Sequence, residues 1–395
     1  MSERGEFRGA GHFRIDRTKA LEKLSAFSLE RGTDFLLPLA RCAAAAGARR
    51  LGVSGTTVLQ AAFDGEPFAR GELADPYGAL FVEDAAPRRR HFASFLLGVL
   101  RTRPSEVQVV SGPAGARHRL RTSGVEREAV EPDGGRDVGT TVRVRWGPVR
   151  WLRACGPAKA AAEAAWTMTP ALFTVDGAAP SALPEARLVA RSQAGDLTLR
   201  LAPPEDPAET RITFCCLGVA VETIKTLLPG VQVRAWVDDA AFALTASQAA
   251  VVEDVRRQRA LDAVAAAAAG FLADTARRFA AAFPEGKPAS GGPAWAAEAR
   301  AWFRAAALRE AEQGRPLPEP VWETPFLVDP TGRALALGTL RRGIPCYSTA
   351  RAAGARLPQA VAYCPEKADL ALLKAAFSGS VLDATQLIES LAKLR

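Results

Sequence analysis

A chain of 395 residues is too long for one compact core and predicts two or three domains. Apolar residues make up 48% and charged residues 24%, with no run of eighteen apolar residues, which excludes a membrane-spanning helix and is typical of soluble globular proteins. The net charge of +8 permits an acidic partner, but the clusters of basic residues are few, at 88–90 and 341–342, and this argues against nucleic acid.

Cysteine and histidine usage argues against a metal site. Six cysteines and three histidines are scattered without zinc-ligand spacing, and the adjacent pair at 215–216 lies inside an apolar run. The polar stretch 1–13 lacks the apolar core of a signal peptide, so we expect a cytoplasmic protein with no membrane association.

The first 150 residues combine helical and strand patterns. Apolar residues recur at three- and four-residue steps from Ile15 to Ala48, which predicts two helices separated near Gly32. A further helix is predicted at 91–100, and strands are predicted at 50–53, 56–63, 106–111, 120–130 and 140–146. These elements indicate an α+β sandwich, with helices covering one face of a mixed sheet.

The rest of the chain predicts two further domains. Strands in the middle segment are expected at 187–190, 197–201, 212–221 and 232–237, followed by an Ala-rich helix at 247–278. The last segment has helices at 294–313 and 367–377, with short strands near Phe326 and Val361. Because 284–293 has the composition of a linker, the expected domains are 1–150, 151–283 and 294–395.

Four segments, in order, resemble the nucleotide-binding boxes of the GHKL superfamily (gyrase, heat-shock chaperone, histidine kinase, MutL). They are the helix-to-strand passage 34–53, which contains Ala46-Gly47-Ala48, the strand and Asp-Gly turn in 60–73, the helix and strand in 88–112, and Gly-Thr-Thr at 139–141. The entry segment 13–36 is similar to that of the heat-shock protein 90 family. The resemblance implies a GHKL-type (Bergerat) α/β sandwich, then an α/β middle domain and a small α/β C-terminal unit.

The catalytic residues of the superfamily have no counterparts here. The resemblance implies a helix-borne Glu that activates water and an Asn one turn later that holds magnesium, and these positions are Pro38 and Cys42. Proline offers no base, and a thiol is a poor ligand for a hard cation. The lid segment 84–92 has no glycine, and we expect a solvated loop there, although its three arginines could attract an anion. Gln248 replaces the arginine of the middle-domain loop. We expect no hydrolysis by the family mechanism, no catalytic residue and no Mg²⁺ site.

The resemblance assigns cofactor-binding positions to Asp64, Gly65, Gly139, Thr140 and Thr141. A second alignment of the Asp-Gly turn puts a phenylalanine at the adenine-binding aspartate position, so weak ATP binding stays open. The expected protein is a pseudo-ATPase related to heat-shock protein 90 that binds other polypeptides as a chaperone or scaffold. A homodimer also stays open.

Two other functions stay open as well. One is a divergent, active ATP-binding chaperone with relocated catalytic groups, for which Glu66 is the nearest carboxylate. The other is a MutL-like DNA-associated ATPase relative, because the Ala-Gly-Ala and Gly-Thr-Thr boxes are shared with that branch. The loop at Ser247 favours the chaperone branch, and the scarcity of clustered basic residues argues against DNA.

Overall fold

The structure is a computed structural model that describes residues 17–27, 29, 31–125, 127–135, 137–168, 172–179 and 188–393. It has two compact units. Unit 1 is formed within 1–180, 216–221 and 243–252, and unit 2 within 181–215, 222–242 and 253–395. Each unit combines helices with β-sheet, which confirms the predicted α+β class.

Unit 1 is built on a seven-stranded sheet in the order β5-β4-β3-β6-β2-β1-β7. The paired strands are antiparallel, except that β1 and β7 are parallel. Its elements are α1 (Arg17–Phe27), α2 (Leu36–Ala45), β1 (Arg50–Ser54), β2 (Val58–Phe63), α3 (Arg70–Ala74), α4 (Pro87–Arg101), β3 (Glu106–Ser111), β4 (Arg117–Thr122), β5 (Ala129–Asp133), β6 (Thr140–Arg145), α5 (Pro148–Ala165) and β7 (Leu172–Val175).

Helices cover one face of this sheet because its strands alternate apolar and polar residues. On β2, Leu59, Ala61 and Phe63 are buried and the residues between them are exposed. Aromatic side chains of α4, Phe92 and Phe95, are fully buried in the same core. Truncation of a buried phenylalanine to alanine lowers the free energy of unfolding by about 3–5 kcal/mol. This face therefore contributes much of the stability of unit 1.

Helix α5 was not predicted, and its place in the fold explains why. The expected boundary between 150 and 151 falls inside this helix, whose middle contains the poor helix formers Gly156 and Pro157. The structure instead buries the small side chains of Ala154, Cys155 and Ala158 against the unit 1 core. Tertiary packing of this face outweighs the local propensity.

The elements after residue 188 include a five-stranded sheet in the order β11-β10-β12-β9-β8, a short β13–β14 hairpin and a parallel three-stranded sheet in the order β16-β15-β17. They are β8 (Ala190–Ala194), β9 (Leu197–Ala202), β10 (Thr210–Cys216), β11 (Val219–Thr226), β12 (Arg234–Asp238), α6 (Val255–Ala282), α7 (Trp295–Glu312), α8 (Glu319–Glu323), β13 (Leu327–Val328), β14 (Ala334–Leu335), α9 (Leu337–Arg341), β15 (Cys346–Ser348), β16 (Ala362–Tyr363), α10 (Lys367–Ala376), β17 (Leu382–Asp383) and α11 (Thr385–Lys393).

Two predicted elements of the middle segment are wrong. The expected strand 212–221 is a hairpin, because Leu217 and Gly218 both adopt positive φ (56° and 78°) and reverse the chain. The expected helix at 247–278 begins only at Val255, where the carboxylate of Asp254 accepts the N–H of Arg257 at 2.8 Å and caps it.

Three further features concern the predicted organisation. The start of the entry segment, 13–16, lies outside the described residues, and the first helix of the pattern that begins at Ile15 corresponds to α1 (Arg17–Phe27). The expected linker 284–293 hydrogen-bonds to the β13–β14 region, with Gly286 N–H donating to Ala334 C=O at 2.9 Å. Among the described residues, no helix combines the length and the apolar character needed to cross a bilayer.

Candidate functional site

Three elements of unit 1 bring the sequence-predicted positions together. Cys42 lies on α2, Asp64 follows β2, and Thr140 begins β6. Phe63 and Thr140 are direct partners in the β2–β6 ladder, so the Asp-Gly turn and the Gly-Thr-Thr segment are neighbours. The order of motifs in the sequence therefore corresponds to one region at the end of the sheet.

Both glycines of this region are required by close backbone approach. Gly139 adopts φ +92°, and a Cβ at this position would lie 2.3 Å from the Phe63 carbonyl oxygen. A Cβ on Gly65 would lie 2.7 Å from the Ala46 carbonyl oxygen at the end of α2. Packing of the turn against the sheet and the helix therefore accounts for both residues without a ligand.

The carboxylate of Asp64 is bonded to the backbone at the start of β1. Its Oδ1 accepts the N–H of Arg49 at 2.8 Å and of Arg50 at 2.9 Å, and its Oδ2 lies 3.5 Å from Arg50 Nε. Burial raises its pKa, but the hydrogen bonds from Arg50 and Arg49 outweigh that effect and hold the pKa of Asp64 below its ordinary value. Asp64 thus stabilises the turn between α2 and β1.

The hydroxyl of Thr140 belongs to a buried hydrogen-bond chain. Thr140 Oγ1 lies 2.7 Å from Ser111 Oγ, which accepts the N–H of Phe68 at 2.8 Å. Thr141 is half-buried and follows Thr140 on β6, so its side chain lies on the opposite face of the sheet. Sequence reasoning missed Ser111, because its partners come from distant segments.

The α2 positions are occupied by core residues. Pro38 and Cys42 are both buried, and Cys42 is 0% exposed. Burial raises the pKa of the Cys42 thiol far above its ordinary range, an effect that the charge of Arg88 opposes and that of Glu72 reinforces. Cys42 is therefore a neutral thiol, which neither ligates a hard cation nor activates water.

An ion cluster lies within electrostatic range of this thiol. Arg88, whose side chain is 11% exposed, lies 2.9 Å from a carboxylate oxygen of Glu72 and 3.0 Å from one of Glu66. Its guanidinium also lies 5.1 Å from the ring centroid of Phe68. Glu72 in addition accepts the N–H of Ala69 at 2.9 Å and so caps α3.

The structure of residues 84–92 differs from the sequence prediction. The sequence predicted an open, solvated loop there, with a helix only from His91. The structure instead begins α4 at Pro87, so that the first turn carries Arg88 and turns it towards the two carboxylates. The signal that could have shown this is the combination of Pro87 at the helix start and Glu72 near the start of α3.

Gln248 lies in unit 1, where its side-chain oxygen accepts a hydrogen bond from Arg41 at 3.0 Å. Arg41 is 1% exposed on α2 and precedes Cys42. The polar residue that the sequence placed at the phosphate-contacting position is thus bonded to the protein itself. Sequence reasoning did not single out Arg41.

The stability of unit 1 is expected to depend on pH because of His91. Burial, then the charges of Arg41 and Arg90, lower the pKa of His91 to about 3, against about 6.5 for a free histidine. The unfolded chain therefore binds more protons between these values, and stability falls as the pH drops below about 6.5. We expect a loss of about 2 kcal/mol between pH 7 and pH 5, a range above most carboxylate titrations.

Urea unfolding of the wild type and His91→Gln at both pH values measures this loss. The variant is expected to have lost most of the pH dependence. His118→Gln, on β4, controls for the removal of a histidine as such, and an unchanged pH slope in His91→Gln would contradict the burial of a neutral imidazole.

The residues present do not fit ATP and Mg²⁺ in the manner of the superfamily. The Asp64 carboxylate, the Thr140 hydroxyl and the Gln248 amide are bonded to other parts of the chain, and the position of the metal ligand holds a neutral thiol. Within the part of the chain that the structure describes, no three His, Cys, Asp or Glu side chains are grouped so that they could hold a metal ion.

Comparisons with known proteins give little further information. Neither the protein-family models nor the curated protein sequences contain a match to this chain. Among the solved structures similar to it is the ATPase region of Saccharomyces cerevisiae topoisomerase II, with a TM-score of 0.41 and 9% sequence identity over 57% of this chain and 77% of that one. A likeness of this size carries no inference about activity.

Proposed function

We propose that unit 1 is a GHKL-type sandwich without ATP turnover, and that the protein binds or scaffolds other polypeptides in the manner of a heat-shock protein 90 relative. The observation that carries the proposal is the convergence of the four sequence motifs on one region whose polar groups are already bonded within the chain. A site whose donors and acceptors are satisfied internally gains little from a new polar ligand.

The proposal includes the expected cytoplasmic location and the expected absence of Mg²⁺. ATP hydrolysis requires a base near the attacking water and a cation on the phosphates. Pro38 and Cys42 supply neither, and Glu66 is engaged with Arg88 at 3.0 Å. These residues support a pseudo-ATPase over a divergent ATPase that uses Glu66.

Helix α5 supports the polypeptide-binding part of the proposal. Val149 and Leu152 are 64% and 71% exposed, and their three-residue spacing puts them on one face of the helix. Exposed apolar side chains of this kind are suited to a protein partner. Suppression of client aggregation by the wild type, reduced in Leu152→Asp, tests this part, while light scattering on both proteins identifies a homodimer formed through the same face.

Calorimetric titration with ATP and Mg²⁺ tests the nucleotide part. We expect no heat of binding at millimolar nucleotide and no phosphate release in a hydrolysis assay. Asp64→Asn is the matched variant, because binding of adenine through the family position would be lost in it. A turnover that disappears in Glu66→Gln would overturn the pseudo-ATPase and establish the divergent enzyme instead.

A further inference from the structure

Residues 243–252 form a closed finger that belongs to unit 1. Val252 N–H donates to Ala243 C=O at 2.8 Å, and Thr245 N–H donates to Ala250 C=O at 2.9 Å. A β-bridge joins Leu244 to Val251, which is 3% exposed. Because its two sides are bonded to each other, the finger holds its tip in a defined position.

The tip presents Gln248 in an unusual backbone conformation. Its φ is +54°, in the left-handed region that residues other than glycine, asparagine and aspartate seldom adopt. Its N–H donates to Thr245 C=O at 2.8 Å, and its side-chain oxygen accepts from Arg41 at 3.0 Å. Such a conformation persists where surrounding contacts hold it, and here the side-chain hydrogen bond is one of them.

Arg41 needs acceptors because its side chain is buried. A buried guanidinium is costly unless its N–H groups are hydrogen-bonded. Besides Gln248, Arg41 donates to the Ala220 carbonyl oxygen at 3.4 Å, in the hairpin segment 216–221 that also belongs to unit 1. These acceptors lie 207 and 179 residues further along the chain, so α2 and two distant segments depend on the same guanidinium.

We propose that Arg41 and Gln248 form an intramolecular clasp that keeps the finger docked on α2 in the absence of any nucleotide. The inference extends the proposed function, in which no nucleotide organises this region. A hydrogen bond to a charged group contributes more to stability than one between neutral groups. Its loss is expected to open the finger locally without unfolding the rest of unit 1.

Amide hydrogen exchange of the full-length protein, followed by mass spectrometry, tests the clasp. In Gln248→Gly, which accommodates the positive φ but lacks the acceptor, exchange in 243–252 is expected to be about tenfold faster. In Gln248→Glu, which keeps an acceptor and adds a charge, it is expected to be no faster than in the wild type. Gln258→Ala, on the exposed side of α6, is the control, and it leaves the finger unchanged.

A double variant separates the clasp from general loosening. In Arg41→Met the finger is expected to exchange faster, and adding Gln248→Gly to this variant is expected to have little further effect. Equal exchange of 243–252 in the wild type and Gln248→Gly would overturn the clasp. So would fully additive effects of the two substitutions.

Measurements with ATP distinguish a failure of the proposed function from a failure of the clasp. ATP and Mg²⁺ are expected to leave exchange in the finger unchanged. Calorimetric binding of ATP without a change in finger exchange would overturn the proposed function and leave the clasp standing. Slower exchange of 243–252 on addition of ATP would overturn both, because nucleotide would then bind and organise the finger that the clasp is proposed to hold by itself.

Discussion

Replacement of Gly139 by alanine is expected to lower the free energy of unfolding of unit 1 by about 3 kcal/mol. The added Cβ would lie 2.3 Å from the Phe63 carbonyl oxygen, and alanine is strained at φ +92°. The backbone of Phe63 cannot shift easily away from Gly139, because Phe63 pairs with Thr140 where β2 meets β6. Denaturant unfolding followed by far-UV circular dichroism measures the effect.

The control for this prediction is Gly134→Ala in the same β5–β6 connection. A Cβ on Gly134 would meet no atom within 4 Å, and we expect a change below about 0.5 kcal/mol. Similar stabilities of Gly139→Ala and the wild type would show that the Gly-Thr-Thr segment is not packed against the Asp-Gly turn. In that case the backbone explanation of Gly139 would be wrong.

The second large effect is expected at Arg88. Arg88→Met keeps much of the packing against Phe68 but leaves Glu72, 17% exposed, without its nearest cation. Breaking a fully buried pair costs about 3–5 kcal/mol, and partial exposure reduces this to about 2 kcal/mol here. Glu66→Gln, at a position 64% exposed, is the matched control and is expected to cost less than about 1 kcal/mol.

A double variant tests the reason for the effect. Glu72→Gln retains an acceptor for the Ala69 N–H but removes the charge that Arg88→Met leaves with only Arg89, at 3.5 Å, as its cation. The double variant is therefore expected to be more stable than the sum of the two single losses, by about 1–2 kcal/mol. Equal and small costs for Arg88→Met and Glu66→Gln would instead indicate the solvated loop that the sequence predicted.

Local periodicity explains which elements could be predicted from the sequence. The bounds of β3 at 106–111 and the core of β6 agree with the alternation of apolar and polar residues. Helix α2 also lies where the three- and four-residue spacing of apolar side chains placed it, and the apolar run 91–100 lies within α4. Each of these elements buries one face, and the apolar residues of that face recur at a regular spacing within a short segment. A single sequence therefore suffices to recognise them.

The sequence predicted which residues belong to the candidate site, but not which groups they contact. Pro38 and Cys42 were identified as unsuited to catalysis from residue type alone. The hydrogen bonds of Asp64 to the backbone of β1 and of Thr140 to Ser111 join segments 14 to 29 residues apart, and spacing along the chain does not encode them. The second half of the finger, 247–252, was assigned to the predicted helix 247–278, because the Ala-rich composition of that stretch favours helix locally.

By itself, the sequence determined the α+β class, the order of α1, α2, β1, β2, α4, β3 and β6 in unit 1 and the residue types that argue against catalysis. The tertiary structure decided what the polar residues of the site do: Arg88 joins Glu66 and Glu72, and Arg41 joins Gln248. The physical reason is that burial forces each charge and amide to find a partner, and the partner is whichever segment the fold brings within hydrogen-bonding distance.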